Sequence, residues 1–276
     1  MDLIDSIIRN ALREDIHTGD ITTRSVIVRP NPAKARLIAK EGFVLAGLEV
    51  AARVFRMLDP ATSFNPLFTD GATCSPRDVI AEISGTDTFI LQGERVALNL
   101  LQRMSGIATI TSRYVAAVAG TRARIVDTRK TTPGLRVLEK YAVTVGGGSN
   151  HRAGLYDAVL IKENHITAAG GITAAVTRSR TFIPHTMKIE VETENLAEVA
   201  EAVACGADII MLDNMDLAGM REAVALIAGR SLVEASGGVN LDTVRSIAET
   251  GVDLISVGAL THSARAVDIS LLLVAL

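Results

Sequence analysis

The sequence predicts an α/β protein in which a mixed α+β unit precedes a closed or nearly closed α/β barrel. Two observations lead to this fold class. From about residue 106 onward, short apolar runs alternate with amphipathic helical patterns, the order expected of parallel βαβ units. Before that point, strand-like and helical segments follow one another without such alternation. We therefore predict an N-terminal α+β domain at residues 1–105 and a barrel domain at 106–265.

The first domain has its own periodic elements. Apolar residues between Leu3 and Leu12 recur at helical spacing, as on one face of an amphipathic helix. The segments Ala33–Ala39 and Asp78–Ile83 are typical of half-buried strands. We also predict a final helix over 266–276 that returns to pack on this domain.

The barrel domain contains three segments that share one sequence pattern, in which an aspartate precedes an apolar run. They begin at Asp157, Asp208 and Asp253. The candidate strands are 123–127, 142–145, 157–162, 187–192, 208–213, 232–236 and 253–257. Six or seven strands separated by helices favour a barrel, and a doubly wound sheet is the alternative. No GxGxxG motif follows the first strand to support that alternative.

Composition excludes several classes of protein. The net charge of −3 is unlike that of a nucleic-acid binder, and aromatic residues make up only 3% of the chain, with no tryptophan to stack on bases. No apolar run approaches the roughly 18 residues needed to span a bilayer. We therefore expect a cytoplasmic enzyme that has neither nucleic acid nor membrane as a partner.

Cations follow two of the predicted strands. In barrels of this kind reactive residues lie at the carboxyl ends of strands. Arg129 and Lys130 follow the first strand, and they suit an anionic ligand because arginine presents a planar fork to a carboxylate and lysine a point charge to a phosphate. His151 and Arg152 follow the glycine run 146–148. The alternatives are a solvated basic loop and a structural histidine.

Further charged residues end the next strands. Lys162 closes an apolar strand, where it would either pair with a ligand anion or act as a Schiff-base nucleophile. Lys188, Glu190 and Glu192 share one face of a strand by twofold alternation. We place Glu192 in the pocket and expect Glu190 to pair with Lys188. Asp213 ends the following strand, and together with Glu192 it would suit ribose hydroxyls or Mg²⁺ beside a pyrophosphate.

Glycine-rich loops follow the last two strands. Ser236 and Gly237 open one loop, and Gly258 opens the other. Backbone N–H groups in such loops commonly hold phosphate in barrel proteins. In the first domain, Arg95 lies near a predicted helix start, and its residue type alone favours a surface position.

Motifs distributed over nearly the whole chain resemble those of the quinolinate phosphoribosyltransferase family. They are Glu14-Asp15, Gly19–Thr23, Glu94-Arg95, Leu98-Asn99, Ser105–Thr109, Asp127–Gly134, Asn150–Arg152, Lys162–His165, Glu190–Glu192, Asp213-Asn214 and Glu234–Gly238. Because they occur in a single order along one chain, chance similarity is a poor explanation.

The resemblance implies an N-terminal α+β sandwich, an incomplete TIM-like α/β barrel, and a homodimer or an assembly of dimers. It implies that Arg129, His151, Arg152 and Lys162 bind a pyridine dicarboxylate, and that Lys130 lies between two substrates. By the same resemblance, Glu192 and Asp213 hold the ribose of phosphoribosyl pyrophosphate with Mg²⁺, Ser236, Gly237 and Gly258 hold phosphate, and Arg95 reaches the neighbouring subunit's site. The implied reaction joins the two substrates and releases carbon dioxide.

Three other functions remain open on the sequence. A paralogue of the same fold, associated with molybdenum transport, would keep the phosphate loops but lose some dicarboxylate-binding cations. A Schiff-base barrel aldolase would use Lys162 as its nucleophile. A non-catalytic phosphate-sensing protein would show no turnover.

Overall fold

The computed structural model describes residues 3–274. Its helices are α1 (Leu3–Ile16), α2 (Ile21–Val26), α3 (Leu48–Leu58), α4 (Asp87–Ala117), α5 (Arg136–Val145), α6 (Glu163–Ala169), α7 (Ile172–Phe182), α8 (Leu196–Ala204), α9 (Leu217–Ile227), α10 (Val244–Ala248) and α11 (Ala259–His262). Its strands are β1 (Pro32–Ala39), β2 (Phe43–Val44), β3 (Ser63–Pro66), β4 (Thr73–Cys74), β5 (Val79–Thr86), β6 (Arg124–Val126), β7 (Val159–Ile161), β8 (Ile189–Thr193), β9 (Ile209–Asp213), β10 (Leu232–Ser236), β11 (Leu254–Ser256) and β12 (Ile269–Val274).

The chain forms two compact units that are interleaved along the sequence. One unit contains the residues up to 112, together with 131–147 and the residues from 263 onward. The other contains 113–130 and 148–262. The division predicted at residue 105 stays a prediction.

The first unit is built on a four-stranded antiparallel sheet in the order β12-β1-β5-β3, with β2 and β4 forming a separate pair. Alternate residues of β1, including Leu37 and Ala39, are fully buried. Helix α3 adds Phe55, whose ring stacks on Phe64 of β3 with centroids 6.3 Å apart. These apolar contacts form the core of the unit.

Two predicted elements differ from the structure. The predicted strand 142–145 is wrong, because those residues end helix α5. The predicted final helix is also wrong: Ile269–Val274 form strand β12, which pairs antiparallel with β1, while residues 275–276 lie outside the described part. Both segments are short apolar runs, for which periodicity does not separate helix from strand.

The second unit contains a six-stranded parallel sheet in the order β6-β11-β10-β9-β8-β7. Its first strand, β6, pairs with its last, β11. A doubly wound sheet would instead reverse its strand order near the middle. In the described residues β6 and β7 are not paired, although Val126 forms an isolated bridge with Ser149. The unit is therefore an incomplete barrel whose strands all present their carboxyl ends at one rim.

Two of the three repeated aspartates act at the opposite rim, whereas Asp157 accepts the backbone N–H groups of Ala153 and Gly154. The Asp208 carboxylate accepts the Ile189 backbone N–H at 2.9 Å, and Asp253 accepts that of Val233 at 2.9 Å. Each side chain thus ties the start of its strand to the start of a neighbouring strand. Asp208 also pairs with Lys188 at 3.1 Å. The predicted Glu190–Lys188 pair is therefore wrong, because Lys188 lies at the amino end of its strand beside Asp208.

Among residues 3–274, no helix is both long enough and apolar enough to cross a bilayer.

Candidate active site

A cavity of about 660 Å³ opens at the carboxyl ends of the parallel strands. It is lined by residues Thr128, Arg129, Lys130, His151, Arg152, Leu160, Lys162, Glu192, Met211, Asp213, Asn214, Glu234, Ser236, Gly237, Gly238 and Ser256. Nine of the eleven residues predicted for the site are among them. The carboxyl ends of the parallel strands and the loops that follow them bring these residues together.

The two remaining predicted residues lie outside this lining. Gly258 precedes α11, and a methyl group added to it would come 3.1 Å from Cδ of Lys130, so the backbone there approaches that side chain closely. Arg95 is an exposed residue of α4 in the other unit. The helix begins at Asp87, so Arg95 lies in its interior and not near its start.

Arg152 is a partly buried cation of this cavity. Burial lowers the pKa of its guanidinium, the positive charge of Arg129 lowers it further, and the carboxylates of Glu190 and Asp157 oppose both. Two arginines that repel each other across a cavity gain most from a shared anion. The site is therefore suited to a ligand with more than one negative charge.

Lys162 and Glu192 form an ion pair across neighbouring strand ends. Nζ of Lys162 lies 2.7 Å from Oε2 of Glu192, and half of the lysine side chain is exposed. Exposed pairs of this kind are weak in free energy. An incoming anion can therefore compete with Glu192 for the ammonium group.

Asp213 and Asn214 end β9 beside the glycine loop after β10. The Asn214 side chain donates to Asp213 at 2.8 Å. Gly237 has φ +91°, and a Cβ placed on it would collide with Oδ1 of Asn214. Only glycine fits position 237, because both the backbone conformation there and the close approach of Asn214 exclude a side chain.

An acidic cluster lies beneath the cations, and the sequence analysis did not identify it as part of the site. It consists of Asp127, Glu190 and Glu234, all of them buried. The Asp127 carboxylate accepts the backbone N–H of His151 at 2.8 Å. Nε2 of His151 lies 2.9 Å from Glu190 and 3.7 Å from Glu234. The sequence signals were the inward alternation of Glu190, the position of Glu234 two residues before the end of its strand, and the presence of all three residues in the motifs quoted above.

Burial raises the pKa of Glu234 to about 8, and the negative charge of Glu190 adds to this shift. His151 and the nearby Ser256 hydroxyl oppose the shift, and Asp127 makes a smaller contribution that reinforces it. Among the described side chains, neither oxygen of Glu234 has a hydrogen-bond partner. These surroundings of Glu234 favour its neutral form.

Comparisons with known proteins agree in both halves of the chain. Residues 20–105 match the family model described as quinolinate phosphoribosyl transferase, N-terminal domain, and residues 107–272 match its C-terminal domain. The chain is 48% identical over 275 residues to a probable nicotinate-nucleotide pyrophosphorylase [carboxylating] of Synechocystis sp., covering 99% of this chain and 93% of that protein. It is 44% identical to the protein of the same description from Bacillus subtilis, covering 94% and 89%.

Solved structures show the same similarity. The crystal structure of NadC from Streptococcus pyogenes superposes with a TM-score of 0.94 at 46% identity, covering 99% of this chain and 98% of that one. The nicotinate-nucleotide pyrophosphorylase from Francisella tularensis superposes with a TM-score of 0.95 at 41% identity, covering 99% and 96%. The predicted fold class is thereby confirmed.

Proposed function

The chain belongs to the quinolinate phosphoribosyltransferase family, and we infer that it transfers a phosphoribosyl group from phosphoribosyl pyrophosphate to quinolinate. The products are nicotinate mononucleotide, pyrophosphate and carbon dioxide, so the protein is a pentosyltransferase of NAD biosynthesis. The observation that supports this function most directly is the cation-lined cavity at the strand ends. It gives two strongly negative reactants a common place to meet.

The proposed roles follow from charge and position. Arg129, Arg152, His151 and Lys162 receive the two carboxylates and orient the pyridine nitrogen toward C1 of the ribose. Lys130 lies between the substrates, where its ammonium group stabilises negative charge on the departing pyrophosphate. Ser236, Gly237 and Gly258 hold phosphate through backbone N–H groups. These assignments rest on the shared cavity and on the family's motifs.

Bond formation needs no side-chain nucleophile. Pyrophosphate leaves C1 as the pyridine nitrogen attacks it, and the quaternised ring then draws electrons from the adjacent carboxylate, which departs as carbon dioxide. The ring carbon left behind takes up one proton. Holding both reactants in one orientation supplies much of the rate acceleration.

Glu192 and Asp213 fit a role beside Mg²⁺. Both are partly exposed carboxylates on neighbouring strands of the cavity, and oxygen atoms are the ligands that Mg²⁺ prefers. We propose that substrate phosphates hold most of the ion and that these two residues complete its surroundings and bind the ribose hydroxyls. When bound, Mg²⁺ would neutralise charge on the pyrophosphate.

We further propose a homodimer, or an assembly of dimers, in which Arg95 of one subunit reaches the site of the other. The exposed position of Arg95 on α4 is compatible with this arrangement. A cytoplasmic location, without nucleic acid or membrane as a partner, completes the proposal.

The decisive assay supplies quinolinate, phosphoribosyl pyrophosphate and Mg²⁺ to the purified protein, with nicotinate replacing quinolinate as the control. We expect carbon dioxide and mononucleotide only with quinolinate. Absence of both products would contradict the function and favour the paralogue or the phosphate sensor. Borohydride trapping of substrate on Lys162 would instead favour the aldolase.

Gly237→Ala is expected to raise the KM for phosphoribosyl pyrophosphate by about 10- to 100-fold, corresponding to about 1.4–2.8 kcal/mol. The methyl group would strain the backbone and collide with Asn214. Gly238→Ala is the matched control, because Gly238 also has positive φ (+62°) but no atom lies within 4 Å of the added methyl group. Steady-state kinetics of both variants measure the difference. Equal effects would show that the close approach to Asn214 does not matter.

A further inference from the structure

We propose that Glu234 is held protonated beside the Glu190 carboxylate, and that in this acid pair Glu190 positions His151 while Glu234 alone sets the alkaline limit of dicarboxylate binding. The inference rests on the proposed function for its link to quinolinate. The acid pair itself can be tested without any substrate. Both glutamates are positioning residues here, since they act on the ligand through His151 and through the charge of the pocket.

The orientation of His151 is fixed at both ring nitrogens. Nδ1 accepts the backbone N–H of Arg152 at 2.7 Å. A nitrogen that accepts a hydrogen bond carries no proton, so the neutral ring carries its hydrogen on Nε2. Nε2 lies 2.9 Å from Oε2 of Glu190 and therefore donates to that carboxylate. Glu190 thus holds the ring in one tautomer and one orientation at the edge of the cavity.

Glu234 is the group that carries the extra proton. Its side chain is fully buried, and one oxygen lies 3.7 Å from the same Nε2. The ligand atoms of His151, Glu190 and Glu234 all lie within 4.8 Å of one another. Two ionised carboxylates this close in a buried site would repel strongly, and one proton on the pair removes that repulsion.

The groups that shift the pKa of Glu234 come from several elements around it. Glu190 approaches from β8, Ser256 from β11, and Asp127 from the end of β6, while β9 contributes the uncharged Met211 at the paired position. His151 is the only cationic candidate among the groups that shift Glu234. The Glu190 carboxylate has the largest effect among these groups, and it favours the protonated form. The cations Arg129, Arg152 and Lys162 line the same cavity.

A neutral Glu234 preserves the charge that the dicarboxylate needs. The Glu190 carboxylate already offsets part of the positive charge of Arg152, as its effect on that guanidinium shows. A second carboxylate beneath the same cavity would weaken the attraction for an anion further. Because burial beside Glu190 favours the protonated form of Glu234, affinity for quinolinate should fall as pH rises through the raised pKa of Glu234.

A bound divalent cation is the competing interpretation of the same three side chains. A metal on Nε2 would require the ring proton on Nδ1, where the N–H of Arg152 already points. The tautomer therefore favours a proton over a metal. Metal analysis of the purified protein tests the point directly: a stoichiometric ion that Glu234→Gln removes would overturn the proposal.

Infrared difference spectroscopy tests the proton. The wild-type protein should show the C=O stretch of a buried neutral carboxylic acid at pH 7, and the band should fade as pH rises to about 9.5, beyond the pKa expected for a buried acid. The band should be missing in Glu234→Gln and retained in Glu222→Gln, an exposed control on α9. A wild-type spectrum without the band, or a band that survives Glu234→Gln, would overturn the proposal.

Kinetics at saturating phosphoribosyl pyrophosphate test the link to binding. The wild-type KM for quinolinate should rise above the pKa of Glu234 by at most ~10-fold per pH unit, the limit for one proton. This alkaline rise should disappear in Glu234→Gln and persist in Glu222→Gln. An unchanged rise in Glu234→Gln would refute the link.

If Glu234→Gln does not fold, Glu190→Gln serves instead. It should lower the pH at which the infrared band fades, because the negative charge that opposes ionisation of Glu234 is removed. An unchanged fading pH would overturn the proposal.

The two tests separate failure of this inference from failure of the proposed function. A wild-type protein that shows the titrating band but no turnover with quinolinate contradicts the function alone. A protein that turns over quinolinate without the band contradicts the acid pair alone.

Discussion

Replacement of Arg152 by alanine is expected to weaken quinolinate binding by about 30- to 5,000-fold, because loss of a desolvated charged contact costs about 2–5 kcal/mol. Arg152 is a partly buried cation of the cavity, and its charge adds to that of Arg129. Without it, one carboxylate of the ligand would lose its charged partner. Affinity for phosphoribosyl pyrophosphate should change little, since its proposed phosphate contacts lie on the loops after β10 and β11.

Calorimetric titration of each substrate measures the two affinities separately. Arg221→Ala is the control, because Arg221 is an exposed arginine on α9. The proposed role of Arg152 fails if the variant binds quinolinate as the wild type does. It also fails if both substrates lose affinity equally, since that result indicates general damage to the barrel.

Mixing two inactive variants is expected to restore about a quarter of wild-type activity, the value for random exchange in a symmetric dimer with shared sites. Arg95→Ala and Lys162→Ala each remove a proposed contact from every site of their own dimer. In a mixed dimer both defects fall in one site, and the other site is intact. Half of the dimers would be mixed, and each would have one working site of two.

The measurement needs proof that subunits exchange. Two affinity tags, one on each variant, allow mixed dimers to be isolated and assayed. The control is Arg95→Ala mixed with itself, which should stay inactive. Isolated mixed dimers without activity would refute the shared site, and an active Arg95→Ala variant would remove Arg95 from the site altogether.

Strand ends made much of the candidate site predictable from the sequence. Lys162, Glu192, Asp213 and Ser236 each stand where an apolar run stops, and parallel strands bring such positions to one rim. The cations Arg129 and Arg152 follow strand β6 and a glycine run in the same way. Local sequence pattern was therefore enough to predict which residues share the cavity, once the barrel had been inferred.

The acidic cluster beneath the cavity was harder to predict from the sequence. Alternation predicted that Glu190 points inward, but its partner depends on the register of the neighbouring strands. Lys188 lies two residues earlier and pairs with Asp208 at the opposite rim, which leaves Glu190 beside His151. Glu234 comes close only because the sheet curls, a property of the assembled barrel that no short segment contains.

The pairing of β12 with β1 has a consequence for synthesis of the protein. Residues 269–274 are made after the whole barrel, yet they cover the edge of a strand made near the start. While the chain is still on the ribosome, the backbone groups along that edge of β1 remain open to other strands, a known route to misassembly. We expect nascent chains stalled before residue 269 to be more sensitive to protease within 32–39 than released chains. Equal protection of the two would show that the first sheet matures without its last strand.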